Sequence, residues 1–207
     1  PGDEVIIFEP YYENYGPDAI LTDATPRFVK LNPPDWTFDE KEVAAAFNDK
    51  TKAIIINTPN NPTGRVFTRE ELTFLGDLCQ KWNVLAVTDE PYEYMVFDGR
   101  KHISVASLDG MAERTITISA FSKTYAVTGW RLGYAIAPPK ITDAIRKMHD
   151  FITVGAPAPL QEAGAVALRL PDDYYKGLAE GYQKRRDRMI VMLEDAGVDY
   201  IVPKGAY

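Results

Sequence analysis

Lys123 lies in the stretch Ser119-Ala-Phe-Ser-Lys-Thr-Tyr-Ala-Val-Thr-Gly-Trp-Arg131, a small-residue loop between two apolar runs. A lysine at the end of a buried strand is an unusual place for a charge. Burial there disfavours the ammonium, lowers its pKa and leaves a usable amine. Such an amine forms Schiff bases with carbonyls, the aldehyde of pyridoxal phosphate among them. Taken alone, a loop lysine is ordinarily a solvated surface charge. Other strand ends change that balance. Tyr11 and Tyr12 follow the first apolar run, Asn60 and Asn61 the third, Asp89 and Tyr92 the fourth.

That set suits a pyridine ring carrying an aldehyde and a phosphate. Lys123 would hold the aldehyde and later move the proton at a substrate α-carbon. Asp89 would face the ring nitrogen and keep it protonated, which makes the ring an electron sink. Asn61 and Tyr92 would hydrogen-bond the ring phenolate. Tyr12 would stack on the ring face. Arg131 and hydroxyls near Lys123 would bind the phosphate, where a guanidinium suits the bidentate geometry. Each residue also has a plain structural role open to it. Asp89 could cap the next segment, Asn61 could only form a turn, the tyrosines could be half-buried packing, and Arg131 could pair with a surface carboxylate. It is their convergence that points to chemistry.

The elements that must position these residues follow from the apolar pattern. Runs at 4–8, 27–31, 52–57, 84–89, 114–119 and 132–137 read as strands, most of them apolar without alternation. Between and after them, helices are expected at 36–48, from Thr68, from Pro138, at 159–170 and at 174–196. Thr68-Arg-Glu-Glu71 is a capping box opening a helix with Leu72, Leu75, Leu78, Cys79 and Trp82 on its apolar face. Ile141, Ile145 and Met148 form the inner face of the next helix. Leu178, Tyr182, Met189 and Leu193 form that of the long one, which Gly197 ends. Alternating strands and helices imply an α/β fold, a three-layer sandwich around a mainly parallel mixed sheet. Ligands of such sheets sit at the carboxyl ends of the strands, where the polar residues fall here.

Composition narrows the classes. The net charge of −7 argues against a nucleic-acid or anionic-membrane partner. No apolar run approaches a membrane span. The single cysteine, Cys79, excludes a disulfide framework and makes the cytoplasm the expected compartment. No metal site is expected. The ends read as those of a piece of a longer protein: the chain opens on Pro1-Gly-Asp-Glu4 running straight into a strand, and stops just after residues 198–202 begin what reads as another.

Three blocks, Asn60-Asn-Pro-Thr-Gly64, Asp89-Glu-Pro-Tyr92 and Ser122-Lys-Thr-Tyr-Ala-Val-Thr-Gly-Trp-Arg-Leu-Gly-Tyr134, resemble the signature blocks of class I/II aminotransferases of pyridoxal-phosphate fold type I. Pro1-Gly-Asp-Glu-Val-Ile-Ile-Phe-Glu-Pro-Tyr-Tyr12 is similar to the family block that carries the ring-stacking aromatic. The resemblance covers essentially the whole chain, in family order. It implies that Lys123 is the Schiff-base lysine and Asp89 the pyridinium partner. Asn61 and Tyr92 become the phenolate partners, Tyr12 the stacking ring and Arg131 the phosphate arginine. It also implies cis peptides at Glu9–Pro10 and Asn61–Pro62. Many relatives carry a phosphate-binding serine where this chain has Ala120; Ser122 is the nearer substitute, and Ser119 lies one position off.

By the same resemblance, residues 1–196 are the large cofactor-binding domain, incomplete at its N-terminal side, and 197–207 begin the small domain. The activity implied is transamination from an L-amino acid to a 2-oxo acid, by a homodimer dependent on pyridoxal 5'-phosphate. Other fold-type-I chemistry is the alternative, C–S β-lysis or cyclopropane synthesis, as is a non-catalytic regulator domain. The Thr128-Gly-Trp-Arg-Leu-Gly133 block favours the aminotransferase. No G-x-G-x-x-G follows any strand, which leaves a dinucleotide-binding domain weakly supported. Tyr11, Tyr12, Tyr15 and Tyr94 would suit an aromatic or apolar amino acid, and would equally serve to pack the domain.

Overall fold

The computed structural model describes residues 1–206; Tyr207, the last residue of segment 197–207, lies outside them. Its centre is a six-stranded sheet in the order β2-β1-β3-β4-β5-β6. The strands are β1 (Glu4–Glu9), β2 (Thr25–Lys30), β3 (Thr51–Asn57), β4 (Leu85–Asp89), β5 (Thr115–Ala120) and β6 (Gly133–Ile136). β1 to β5 pair in parallel, and β6 closes the order antiparallel to β5. The helices are α1 (Tyr15–Leu21), α2 (Glu40–Ala46), α3 (Arg69–Trp82), α4 (Phe121–Thr124), α5 (Pro139–Thr153), α6 (Ala158–Ala167) and α7 (Asp172–Asp195). The mainly parallel mixed sheet with flanking helices is the architecture expected from the sequence.

The unbroken apolar strands are explained by burial on both faces. Ile6, Ile7, Ile54 and Ile56 are fully buried, and Phe8 nearly so. One face packs Ile6, Phe8, Ile54, Ile56 and Ala86 against Val43 and Ala46 of α2 and Leu72, Leu75, Leu78 and Cys79 of α3. Phe8, Phe38 and Phe67 meet ring to ring there, Phe8 at 5.4 Å from Phe38 and 5.6 Å from Phe67. The helix α3 begins as its sequence dictates. The Thr68 hydroxyl accepts from Glu71 N and the Glu71 carboxylate accepts from Thr68 N. It ends at Asn83, which turns left-handed with φ 53°.

Four departures from the sequence reading have physical causes. The helix α1 carries only Gly16 and Ala19 as buried residues, so no apolar periodicity announces it. The helix α2 is shorter than 36–48: Asp39 caps it, its carboxylate accepting from Lys41 N at 2.7 Å, while Thr37 pairs back with Asn32 in a β-bridge. Met148 of α5 and Met189 of α7 point outward, 60% and 54% exposed, although their spacing places them with the apolar faces. Residues 198–202 form no strand. The chain instead pairs at Gly205 with Val96, where Lys204 N donates to Gly64 O and Phe97 N to Lys204 O. Cis peptides occur at Glu9–Pro10 and Asn61–Pro62, and also at Pro33–Pro34 and Thr58–Pro59.

The Thr68→Ala variant should lose about 1 kcal/mol of stability, and Thr68→Asn should recover most of it. Urea unfolding midpoints of the full-length protein check this; equal midpoints for all three would show that the cap does not hold α3.

Candidate active site

Sheet register assembles the polar groups. Asn57 at the end of β3 is the direct neighbour of Asp89 at the end of β4, and Asp89 is the neighbour of Ile118 on β5. The Asn57 amide then ties two strand ends together. Its Nδ2 donates to Asp89 O at 2.8 Å, and its Oδ1 accepts from Asn61 N at 2.6 Å. Asn61 therefore stands beside Asp89 because a buried amide holds its backbone there, at the head of the Asn61–Pro62 turn.

The Asp89 carboxyl is pushed above the usual carboxylate range, chiefly by burial. The Tyr15 hydroxyl donates to Oδ2 and draws the pKa back down, while the neighbouring Glu90 charge adds to the rise. The Tyr15 phenol is itself held well above its ordinary pKa by burial and by Asp89. Tyr15 engages Oδ2, so Oδ1 can meet a second donor.

Lys123 sits on α4, the single turn after β5. The turn is anchored where Phe121 N donates to Leu132 O at 3.1 Å. Behind it, α6 presses close: a Cβ on Gly164 would stand 2.9 Å from the Phe121 ring. The ammonium of Lys123 lies 5.6 Å from the ring centroid of Tyr92, a buried tyrosine three residues after Asp89. That distance is within cation–π range.

The other sequence candidates stand further out. Tyr12 is 40% exposed and meets Tyr15 edge-on at 5.8 Å. Arg131 is exposed, in a left-handed conformation with φ 53°, and its Nη1 donates to Thr128 O at 3.1 Å. Ser122 and Arg131 line a cavity of about 960 Å³ between the β5–β6 edge and α5, together with Arg146, Lys147 and His149. Lys123, Asp89, Asn61 and Tyr92 lie outside that cavity. The structure thus brings Asp89, Asn61, Tyr92 and Lys123 to one edge of the sheet, Tyr12 to its rim, and Ser122 and Arg131 to the adjoining hollow. Ser119 also lines that hollow but is buried, its hydroxyl 3.4 Å from Glu90 O.

Beneath Asp89 lies an acidic layer. Glu90 is 2% exposed; its carboxylate meets His102 Nε2 at 2.8 Å and accepts from Ser104 Oγ at 3.1 Å. Glu93 is raised above its usual range by burial, with His102 opposing the rise, and Tyr134 lies 3.5 Å from its carboxylate. Sequence reasoning did not single out Asn57, Glu90 or His102. Asn57, as the last residue of an apolar run, carried a signal; the pairing of Glu90 with His102 twelve residues on carried none. The tyrosine group also divides. Tyr11 stacks on Phe28 at 5.4 Å, Tyr94 on Tyr175 at 4.2 Å, and Tyr15 is bound to Asp89.

The residue types fit a phosphorylated pyridine aldehyde: a buried carboxylate whose Oδ2 alone is engaged by Tyr15, an amine over a phenol, an asparagine held by the Asn57 amide, and an arginine and a serine on the adjoining hollow. Among the described residues no cluster of His, Cys, Asp and Glu could hold a metal ion, and no helix is long and apolar enough to cross a membrane.

Comparison with known proteins agrees with this fold. The chain is 41% identical, over its whole length, to a kynurenine–oxoglutarate transaminase of Dictyostelium discoideum, covering 52% of that protein. It is 41% identical to human kynurenine–oxoglutarate transaminase 3, covering all of this chain and 49% of that one. The chain thus spans about half the length of these curated relatives. Its fold superposes on the N-succinyldiaminopimelate aminotransferase of Mycobacterium tuberculosis with a TM-score of 0.96, at 36% identity, over all of this chain and 54% of that one. The family described as aminotransferase class I and II, whose members depend on pyridoxal phosphate, matches residues 1–207, and the chain belongs to it.

Proposed function

We propose that the full protein transfers an amino group from an L-amino acid to a 2-oxo acid, with residues 1–196 as its cofactor-holding domain and 197–207 leading into a second. The observation that carries this is the meeting of Asp89, Asn61, Tyr92 and Lys123 at one sheet edge, held by Asn57 and Tyr15.

Pyridoxal 5'-phosphate, when bound, supplies an aldehyde that takes up the amino group and a ring that withdraws electrons from the substrate α-carbon. The chain's own groups do the rest. Lys123 Nζ would anchor the cofactor and would serve as the acid and base for the proton at the α-carbon. Asp89, its charge stabilised by the Tyr15 hydroxyl, would keep a proton on the ring nitrogen. Asn61 and Tyr92 would hydrogen-bond the ring oxygen, Tyr12 would cover the ring face, and Arg131 with Ser122 would grip the phosphate. The relatives' names support an aromatic amino donor such as kynurenine with 2-oxoglutarate as acceptor. Family habit supports a homodimer, and the single buried cysteine a reducing compartment such as the cytoplasm.

Borohydride reduction of the full-length protein, followed by digestion and mass spectrometry, should place a pyridoxyl group on Lys123. Lys123→Ala should lose the label and slow turnover by roughly 100- to 10,000-fold. A label on another lysine, or full turnover without Lys123, would refute the assignment.

Asp89 yields a second prediction. Its folded-state pKa lies above the unfolded value, so the stability it contributes is present at low pH and is lost as pH rises through the folded pKa. In the cofactor-free protein, Asp89→Asn should therefore raise the melting temperature at pH 8. The gain should vanish below about pH 4, where the unfolded carboxyl is also protonated. The same variant should weaken cofactor binding by about 10- to 100-fold, the loss of one charged hydrogen bond. Calorimetric scans across pH and a cofactor titration check both; a variant less stable at pH 8 would show that the carboxylate supports the fold.

A further inference from the structure

The turn that carries Lys123 is short, and each of its carbonyls has an identified donor. The helix α4 has 4 residues and no side-chain N-cap. Phe121 O accepts from Tyr125 N at 3.1 Å, and Lys123 O from Ala126 N at 3.3 Å. The other two carbonyls depend on side chains. Ser122 O accepts from Thr128 Oγ1 at 3.1 Å, and Thr124 O from the Tyr174 hydroxyl at 2.8 Å. A single turn is marginal by itself, since helix nucleation is unfavourable until tertiary contacts support it. Thr124 is buried, so an unpaired carbonyl there would cost its full desolvation.

Tyr174 comes from the first turn of α7, fifty residues away, and belongs to a linked set of rings. It stacks on Tyr125 with centroids 5.8 Å apart and planes within 12°. The Tyr125 hydroxyl lies 2.9 Å from that of Tyr175. Tyr175 in turn stacks on Tyr94 at 4.2 Å, and Tyr94 lies two residues beyond Tyr92. Further along the same helix, Gln183 Oε1 accepts from Asp98 N at 2.9 Å, and Arg186 holds the Asp98 carboxylate at 2.7 Å while its guanidinium covers Phe97 at 4.9 Å. The 24-residue α7 is thereby fastened both to the lysine turn and to the segment that follows Tyr92.

We propose that Tyr174 is a positioning residue for Lys123: its hydroxyl pins the carbonyl that closes the lysine's turn, so that the start of helix α7 sets where the amine stands over Tyr92. The functional half of this proposal rests on the reading of Lys123 as the proton-moving amine; the structural half does not. The hydroxyl acts through the backbone, and no contact with cofactor or substrate is required of it. The helix α7 thus touches Thr124 through Tyr174 and Tyr94 through Tyr175.

The test uses the full-length protein and the Tyr174→Phe variant, which keeps the ring and its stacking and removes only the donor. Tyr182→Phe, on the same helix with its ring beneath Arg185 at 5.0 Å, is the control. In cofactor-free protein, amide exchange at Tyr125 and Ala126 should quicken about fivefold in Tyr174→Phe and stay unchanged in the control, the loss expected of one hydrogen bond. In the loaded enzyme kcat should fall by a similar factor with KM little changed. Unaltered exchange at these amides would overturn the proposal. So would faster exchange spread evenly over α7 and the sheet, which would make the hydroxyl a support of the whole fold, and so would faster local exchange with an unchanged kcat. If the wild-type protein itself proves inactive with amino and 2-oxo acids, the transamination reading fails, while the exchange measurement still decides whether Tyr174 holds the turn.

Discussion

A carboxylate buried at the end of a central parallel strand cannot remain ionised without donors, and the edge of this sheet is built around that requirement. Parallel pairing brings the ends of β3, β4 and β5 to one level, so Asn57 and Asp89 become neighbours without any loop having to aim them. Burial raises the Asp89 pKa; the Tyr15 hydroxyl opposes the rise. A protonated ring nitrogen would add a second donor on the other oxygen. A cationic ring nitrogen at that point would offset the burial that raises the carboxyl.

The next residue poses the same problem on the opposite side of the chain. Glu90 is almost wholly buried, and His102 and Ser104 satisfy it. These two residues lie on the segment that leaves Tyr92, crosses α7 at Phe97 and Asp98, and returns toward β5. Its path is held by the ion pair of Arg186 with Asp98 and by the contact of His102 Nε2 with the Glu90 carboxylate. Tyr92 sits within that strap. A buried acid thus orders a loop that would otherwise be long and unstructured, and the loop delivers a phenol to the amine.

The sheet was legible in the sequence because strands buried on both faces declare themselves as apolar runs, and β1 and β3 did so through Ile6, Ile7, Ile54 and Ile56. The helix α3 was legible because Thr68 and Glu71 write its start and Leu72, Leu75 and Leu78 its face. Convergence of Asp89, Asn61, Tyr92 and Lys123 was legible from a rule of topology, since all follow strands of one parallel sheet. What stayed hidden was pairwise and distant. Tyr15 with Asp89, Glu90 with His102 and Tyr174 with Thr124 join residues whose separation along the chain follows no period. The helix α1 hid for a different reason: a helix that buries only glycine and alanine leaves no hydrophobic trace. Residues 198–202 misled for the converse reason, because Val198, Ile201 and Val202 have strand-like composition yet remain about half exposed.

The site divides by the way its residues are held. Asp89, Asn61 and Tyr92 are fixed by the sheet and by buried hydrogen bonds, and these would set the charge on the ring. Tyr12, Ser122 and Arg131 lie on turns, exposed or at the rim, and these would cover the ring face and grip the phosphate. Tuning of charge tolerates little displacement, because the energy of a buried carboxylate or phenol changes steeply with distance in a low dielectric. Gripping an exposed phosphate tolerates more, because a guanidinium on a long side chain can follow its ligand. Lys123 belongs to neither group. In the proposed role it would hold the ring and then move a proton, which calls for a place that is fixed but not rigid. A single helical turn closed by hydroxyls from Thr128 and Tyr174 provides that: enough donors to keep the turn formed, and few enough for the side chain to move.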